Sequence, residues 1–247
     1  MSGHSKWSQI KRKKGLKDQE KGRIFSKLAR AITVAVLEGG GATDPEHNIR
    51  LRMTLEKAKH ENMPNESIKR AIEKAKGPER ESLQEMMYEG FGPDGVVFLI
   101  QAATDNSKRT HSEIKSVLDR HQGKIGVQGS VTYLFHKCGT ISFDKKDNQE
   151  EDVFAFAEKV QAEDIDADNT SFTVYFPFAN LGRVKDFLAE LKPSAPAELD
   201  YRPTTSVRIT DKNTAKKILN LVESLEVLED VQKVFSNFDI PEEYLEI

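Results

Sequence analysis

Apolar residues in the first third of the chain recur at three- and four-residue intervals. Ile24, Phe25, Leu28, Ile32 and Val36 form one such series, the spacing that lays one face of a helix against a core. Gly39-Gly40-Gly41 ends it, because glycine takes the left-handed cap conformation at little cost. Asp44-Pro45 is expected to open a second helix, with Asp44 as N-cap and Pro45 at the first helical position. Leu51, Leu55 and Ala58 would form its inner face. Asn62-Met63-Pro64 breaks the chain. Ile68, Ala71, Ile72 and Ala75 mark a third helix, which Gly77-Pro78 terminates. Three short helices with short links make a small bundle.

From Gly95 the pattern changes. Val96-Val97-Phe98-Leu99-Ile100 is rich in strand-forming residues. A helix follows over about 108–120, with Ile114, Val117 and Leu118 inside. Strands are expected at 130–136 and 139–143, a helix at 150–160, and strands at 164–167 and 172–176. A helix at 181–191 and a strand at 198–202 come next. The chain then reads as a strand at 206–210, a helix at 213–225 and a strand at 231–235. Residues 137–203 thus have the order β-α-β-β-α-β, which is ferredoxin-like. Their flanks, joined, make a second unit of the same order. The expected fold class is α+β and multidomain. A basic arm and three-helix bundle occupy 1–77, a discontinuous ferredoxin-like unit occupies 78–136 and 204–247, and a second such unit, 137–203, is inserted in it.

The charge is unevenly placed along this frame. The 247-residue chain carries a net −3, yet residues 1–30 hold ten Lys or Arg against two acids. Residues 1–77 hold 18 basic and 9 acidic residues, and the remainder 19 and 31. Such asymmetry predicts a basic module that meets a polyanion, carried on a body that repels it. No apolar run approaches the roughly 18 residues of a membrane span. The basic start lacks the apolar segment of a secretory signal and the amphipathic stripe of a transit peptide, so a cytoplasmic protein is expected. The single cysteine, Cys138, leaves no disulfide framework and no Cys-based zinc site.

Candidate chemistry narrows the picture. "GFGPDG" (residues 90–95) matches G-x-G-x-x-G, but it precedes a strand instead of following one, and Pro93-Asp94 is turn chemistry. No cofactor is expected. The six histidines lack the spacing of a metal site, and no nucleophile motif is present, so no enzyme, small-molecule substrate or metal is expected. "TDNSKRT" (104–110) lies between a strand and a helix. Asp105, Asn106 or Ser107 can cap that helix, and Lys108 and Arg109 stand beside its N–H groups, so Asp105, Asn106, Lys108, Arg109 and Thr110 form a candidate anion site. The stronger candidate is the basic start: His4, Lys6, Trp7, Lys11, Arg12, Lys13, Lys14, Arg23, Lys27 and Arg30. Trp7 could stack on a base among phosphate-binding cations. Arg23, Lys27 and Arg30 recur at four and three residues, placing a basic stripe on one helix face.

These residues resemble the YebC/PmpR family. The likeness runs through "GHSKW" (3–7), "FSKLARAITVA" (25–35), the glycines at 39–41, "NMP" (62–64), "IKRAIEKAKG" (68–77), "YEGFGPDGV" (88–96), "TDNSKRT" (104–110), "GKIGVQGSVTYLF" (123–135) and "DVQKVFSNF" (230–238). It is weaker over 137–204, where the family pattern has a glycine before "AED" and this chain has Gln161. The resemblance implies a helical N-terminal domain followed by two α/β domains. It also implies a probable DNA-binding transcriptional regulator, with relatives that activate mitochondrial translation of cytochrome c oxidase or relieve ribosome stalling on proline-rich chains. The expected partner is therefore nucleic acid, either duplex DNA or ribosomal RNA on the ribosome. A protein adaptor, its basic arm meeting an acidic partner, is the alternative from another class.

Overall fold

The computed structural model describes residues 18–77 and 83–244. Helix α1 (Asp18–Glu38) ends as its glycines predict. Gly40 and Gly41 have positive φ, Gly41 N–H donates to the Val36 carbonyl at 2.8 Å, and Gly40 N–H donates to Leu37 at 3.1 Å. Helix α2 (Ile49–His60) starts later than Asp44-Pro45 suggests. Asp44 closes a local turn by accepting from Glu46 N–H, and Asn48 is the N-cap. The reason is chemical: a carboxylate can only accept, whereas an amide also donates. Buried Asn48 accepts from Leu51 N–H at 2.9 Å and donates to the carbonyls of Ala35 and Ala42, tying the end of α1 to the start of α2. Helix α3 (Asn65–Lys74) follows Pro64. Ile32, Val36, Leu51, Ala58, Ile68 and Ala71 pack at the centre of the bundle.

The remaining elements run β1 (Gln84–Phe91), β2 (Val97–Thr104), α4 (Ser107–Arg120), β3 (Lys124–Ile125), β4 (Phe135–Asp144), α5 (Glu150–Lys159), β5 (Asp164–Ala167), β6 (Ser171–Pro177), β7 (Glu198–Pro203), β8 (Val207–Arg208), α6 (Lys212–Val227), β9 (Val231–Ser236) and β10 (Phe238–Asp239). In the inserted unit the sheet order is β5-β6-β4-β7, antiparallel throughout. With α5 in the first crossover, this is the ferredoxin-like arrangement. The second crossover, expected as a helix over 181–191, is a run of 3-10 turns over Phe178–Phe187. After α5, Gln161 takes φ +55°, the left-handed conformation that favours glycine. Glycine would take this conformation with less strain than Gln161 does.

The flanking unit has the sheet order β3-β1-β2-β9, again antiparallel. Its helices α4 and α6 cover the face carrying Phe98, Ile100 and Ala102. Val97 and Leu99 point to the other face and meet Phe135, Phe235 and Tyr201. The layout is ferredoxin-like, but one central strand, β1, enters ahead of β2 as its hairpin partner. "GFGPDG" is the turn of that hairpin: Gly92 N–H donates to Val96 at 2.7 Å, and Asp94 and Gly95 have positive φ. The strand expected at 130–136 is mostly loop and one 3-10 turn, Thr132–Leu134, before β4. The strand expected at 206–210 shortens to β8, which pairs in parallel with β10 outside the main sheet.

The bundle docks on both α/β units. On the inserted unit, Arg52 of α2 donates to the Gly182 carbonyl (3.0 Å), Lys57 pairs with Glu198 (2.7 Å) and Lys185 pairs with Glu56 (2.5 Å). A cleft of about 330 Å3 lies in this seam, lined by Met53, Ile141, Leu181, Val184, Leu188 and Pro196. On the flanking unit, the contacts come from α1 and from Arg50 of α2, which pairs with Glu85 of β1.

Candidate nucleic-acid interface

His4, Lys6, Trp7, Lys11, Arg12, Lys13 and Lys14 lie outside the described residues. The remaining members of the basic segment sit on α1. Arg23 is exposed. Lys27 Nζ donates to the carbonyl of Glu226 near the end of α6 at 2.5 Å. Arg30 donates to Asp230 Oδ1 at 2.7 Å, to Glu229 Oε1 at 2.6 Å and to the Ala103 carbonyl at 3.3 Å. The stripe expected from spacing is therefore divided. Its first cation faces solvent, and the next two fasten α1 to the α/β body.

The second candidate site meets the first at Asp230. Arg109 Nη2 donates to Asp230 Oδ2 at 2.7 Å and to Asp105 Oδ1 at 2.8 Å. The Thr110 hydroxyl donates to Asp230 Oδ2 at 2.6 Å and lies 2.7 Å from Thr104 Oγ1. Asn106 is the N-cap of α4 and accepts from Arg109 N–H at 3.1 Å. Lys108 is exposed. A phosphate arriving at Arg109 would have to displace two carboxylates.

Asp230, whose side chain is only 2% exposed, collects two guanidinium groups and one hydroxyl. Burial pushes its pKa up. The hydrogen bonds from Thr110 and Arg109, with the charges of Arg30 and Arg109, outweigh that and hold the carboxyl below its ordinary range. The same bonds, Asp230 first and Asp105 second, push the Arg109 pKa up. The arrangement joins a helix of the bundle to the strand β9 and the helix α4.

A second buried carboxylate does related work elsewhere. Glu89 of β1 is 3% exposed and accepts from Gly129 N–H (2.6 Å), Val131 N–H, Thr132 N–H (3.1 Å) and the hydroxyls of Ser130 and Thr132. Burial raises its pKa, but the Val131, Gly129 and Thr132 donors outweigh this and leave it lowered. The loop before β4 is shaped around that carboxylate. Cys138 is buried, and burial first, then Asp200 and Glu163, pushes its thiol up to about 12, so it stays a thiol. Among the described residues no group of three or more His, Cys, Asp or Glu could hold a metal ion. No described helix is long and apolar enough to cross a membrane.

Sequence reasoning missed Asp230 and Glu89 as organising groups. Both lie in stretches noticed for other reasons, "DVQKVFSNF" and "YEGFGPDGV". The available signal was an acid at the edge of, or within, a strand-forming run, a place where a carboxylate must find donors.

A three-helix bundle clamped onto two four-stranded α/β units, one inserted in the other, defines the class of protein. The TACO1/YebC N-terminal domain family matches residues 5–78, and the family of the TACO1/YebC second and third domains matches residues 83–238. Relatives named "Probable transcriptional regulatory protein" occur in Aquifex aeolicus, 43% identical over all of this chain and 99% of the relative, and in Halothermothrix orenii, 41% identical over 100% and 98%. One from Chloroflexus aurantiacus is 43% identical over 98% and 97%. The crystal structure of a conserved hypothetical protein from Aquifex aeolicus superposes with a TM-score of 0.83 at 40% identity, covering 91% of this chain and 93% of that one. The chain belongs to the TACO1/YebC family.

Proposed function

We propose that the chain is a non-enzymatic, cytoplasmic, nucleic-acid-binding regulator of gene expression, and that residues 1–30 make the principal contact. One observation carries this: ten basic residues against two acids in that segment, ahead of a body after residue 77 with 19 basic and 31 acidic residues. Lys6, Lys11, Arg12, Lys13, Lys14 and Arg23 neutralise phosphates, His4 adds a further contact, and Trp7 supplies an indole that can stack on a base. Lys27 and Arg30 hold α1 against the body. The names of the relatives support transcription as the process regulated.

A second reading, a ribosome-associated translation factor, is favoured by the engagement of Lys27, Arg30, Arg50, Arg52 and Lys57. All five are taken by carboxylates or carbonyls of the protein itself. These five cations of α1 and α2 are therefore not available as the row of outward base-reading side chains that a recognition helix presents. Contact with structured RNA through shape and backbone needs no such row.

The deciding experiment is a salt series on purified ribosomes, random duplex DNA and promoter fragments. Contact with roughly six to eight phosphates gives a log–log slope of about −5 to −7 on duplex. Tight binding to one promoter class, at salt that releases random DNA, establishes the DNA-binding form. Ribosomes retained while all duplexes dissociate alike establishes the translation form. Binding insensitive to salt and to competing polyphosphate overturns both.

A further inference from the structure

Helix α6 carries cations whose placement the fold does not explain. Lys212, Lys216 and Lys217 are exposed, as are Asn213 and Asn220. Asn213, Lys216, Lys217 and Asn220 stand at i, i+3, i+4 and i+7, so they share one outward stripe. Among the described residues, no ion pair engages Lys212, Lys216 or Lys217; the nearby carboxylate Asp211 caps the helix by accepting from Thr214 N–H.

Three features set this stripe apart from an ordinary solvated face. First, such a face commonly intersperses acids with its lysines at helical spacing. No acid lies three or four residues from any of these three lysines, and Lys212 and Lys216 form a like-charged i, i+4 pair that weakens the helix. Second, Lys212 opens the helix, at the end where the helix dipole disfavours cations. Third, the surroundings are acidic: residues 204–247 hold five basic and nine acidic residues, and three of the five are these lysines. A small stability cost concentrated on one outward stripe calls for an anionic partner.

We propose that the Asn213–Lys216–Lys217–Asn220 stripe of α6, with Lys212, is a second docking surface for the phosphodiester backbone of the duplex that the N-terminal segment binds. This rests on the nucleic-acid reading above. Distance lets one duplex reach both surfaces. Lys27 touches the Glu226 carbonyl of α6, and α1 runs from there toward its start at Asp18. At 1.5 Å rise per residue, the start of α1 and Lys216 lie within about 40 Å of each other, about one turn of duplex. Lysines act here as point charges and asparagines as hydrogen-bond partners for phosphate oxygens, so the surface adds affinity and no sequence preference.

The test uses the full chain and a random-sequence duplex DNA about two turns long (about 70 Å), with a duplex RNA of equal length in parallel. Wild type is compared with Lys212→Glu/Lys216→Glu/Lys217→Glu, with the milder Lys212→Gln/Lys216→Gln/Lys217→Gln, and with Lys11→Ala/Arg12→Ala/Lys13→Ala/Lys14→Ala. Both α6 variants are expected to melt at or slightly above the wild-type temperature. The salt slope should fall in magnitude by about 2 to 3, from the loss of up to three phosphate contacts, and affinity at low salt should drop more in the Glu variant than in the Gln variant. If both α6 variants bind as wild type at every salt while the N-terminal variant weakens, this surface is excluded and the nucleic-acid reading stands. If wild type binds neither duplex in a salt-dependent way, both fall together. Weakening of binding to an acidic protein, with duplex binding intact, would also overturn it.

Discussion

Helices α1 and α6 both carry basic residues at helical spacing, and the cations meet different surroundings. Across from Lys27 and Arg30 of α1 lie the Glu226 carbonyl and the carboxylates of Glu229 and Asp230. Across from Lys212, Lys216 and Lys217 of α6 lies solvent. In α1 the stripe with the more evident sequence spacing is largely consumed in holding the bundle to the body. In α6 a shorter, less conspicuous group remains outward. Spacing tells which cations share a face; what stands opposite that face decides whether they stabilise the fold or meet a partner.

The comparison breaks most visibly at Asp230. Asp230→Ala leaves Arg30 with the exposed Glu229 and Arg109 with the exposed Asp105, and removes the charged acceptor of Thr110, which keeps the Asn106 carbonyl and Thr104. A loss of about 2–4 kcal/mol in denaturant unfolding is expected, with earlier proteolysis at α1. Because the Asp230 carboxyl is held below its ordinary range, its contribution is present above an unfolded pKa of about 3.9 and disappears as pH falls through the lower folded value. The acid limb of the stability curve should therefore be shallower in Asp230→Ala than in wild type. Unchanged stability and an unchanged acid limb would mean that α1 is held by apolar packing alone.

Glu89 sharpens the contrast, since its donors are neutral where those of Asp230 are charged. Glu89→Gln turns one accepting oxygen into a donor facing backbone N–H groups. A loss of about 1–3 kcal/mol is expected, with faster hydrogen exchange confined to 129–132 and with duplex affinity unaltered. The smallest effect belongs to α6. Lys216→Glu converts its like-charged pair with Lys212 into an attractive one and should raise stability by about 0.5 kcal/mol, read as a small rise in Tm. A measurable loss instead would show that Lys216 serves the fold, contrary to its exposure.

Most of the element order was legible because burial leaves periodic traces. The bundle helices, α4 to α6, and β5, β6, β7 and β9 fall close to their expected positions. Two of the misses share a cause, a polar residue with a distant partner. Asn48 displaced Asp44 as the cap because it reaches back to Ala35 and Ala42. Strand β1 was hidden because Glu89 faces inward and interrupts the apolar alternation, its charge compensated by a loop 40 residues or more away in sequence. Of the interface, the basic start was plain from composition. The roles of Arg30 and Arg109 were not, because their shared partner, Asp230, lies 200 and 121 residues further on.

By itself, the sequence determined the helix and strand periods, the glycine stops, the nesting of one α/β unit in another and the division of charge between a basic start and an acidic body. These follow from local sterics, from which residues water excludes and from simple charge counts. Only the tertiary structure decided which charges neutralise one another and which remain outward, because an ion pair depends on distance through space. Residues 30, 109 and 230 are brought within hydrogen-bonding range by the docking of a helix onto a sheet, and no local pattern records that distance.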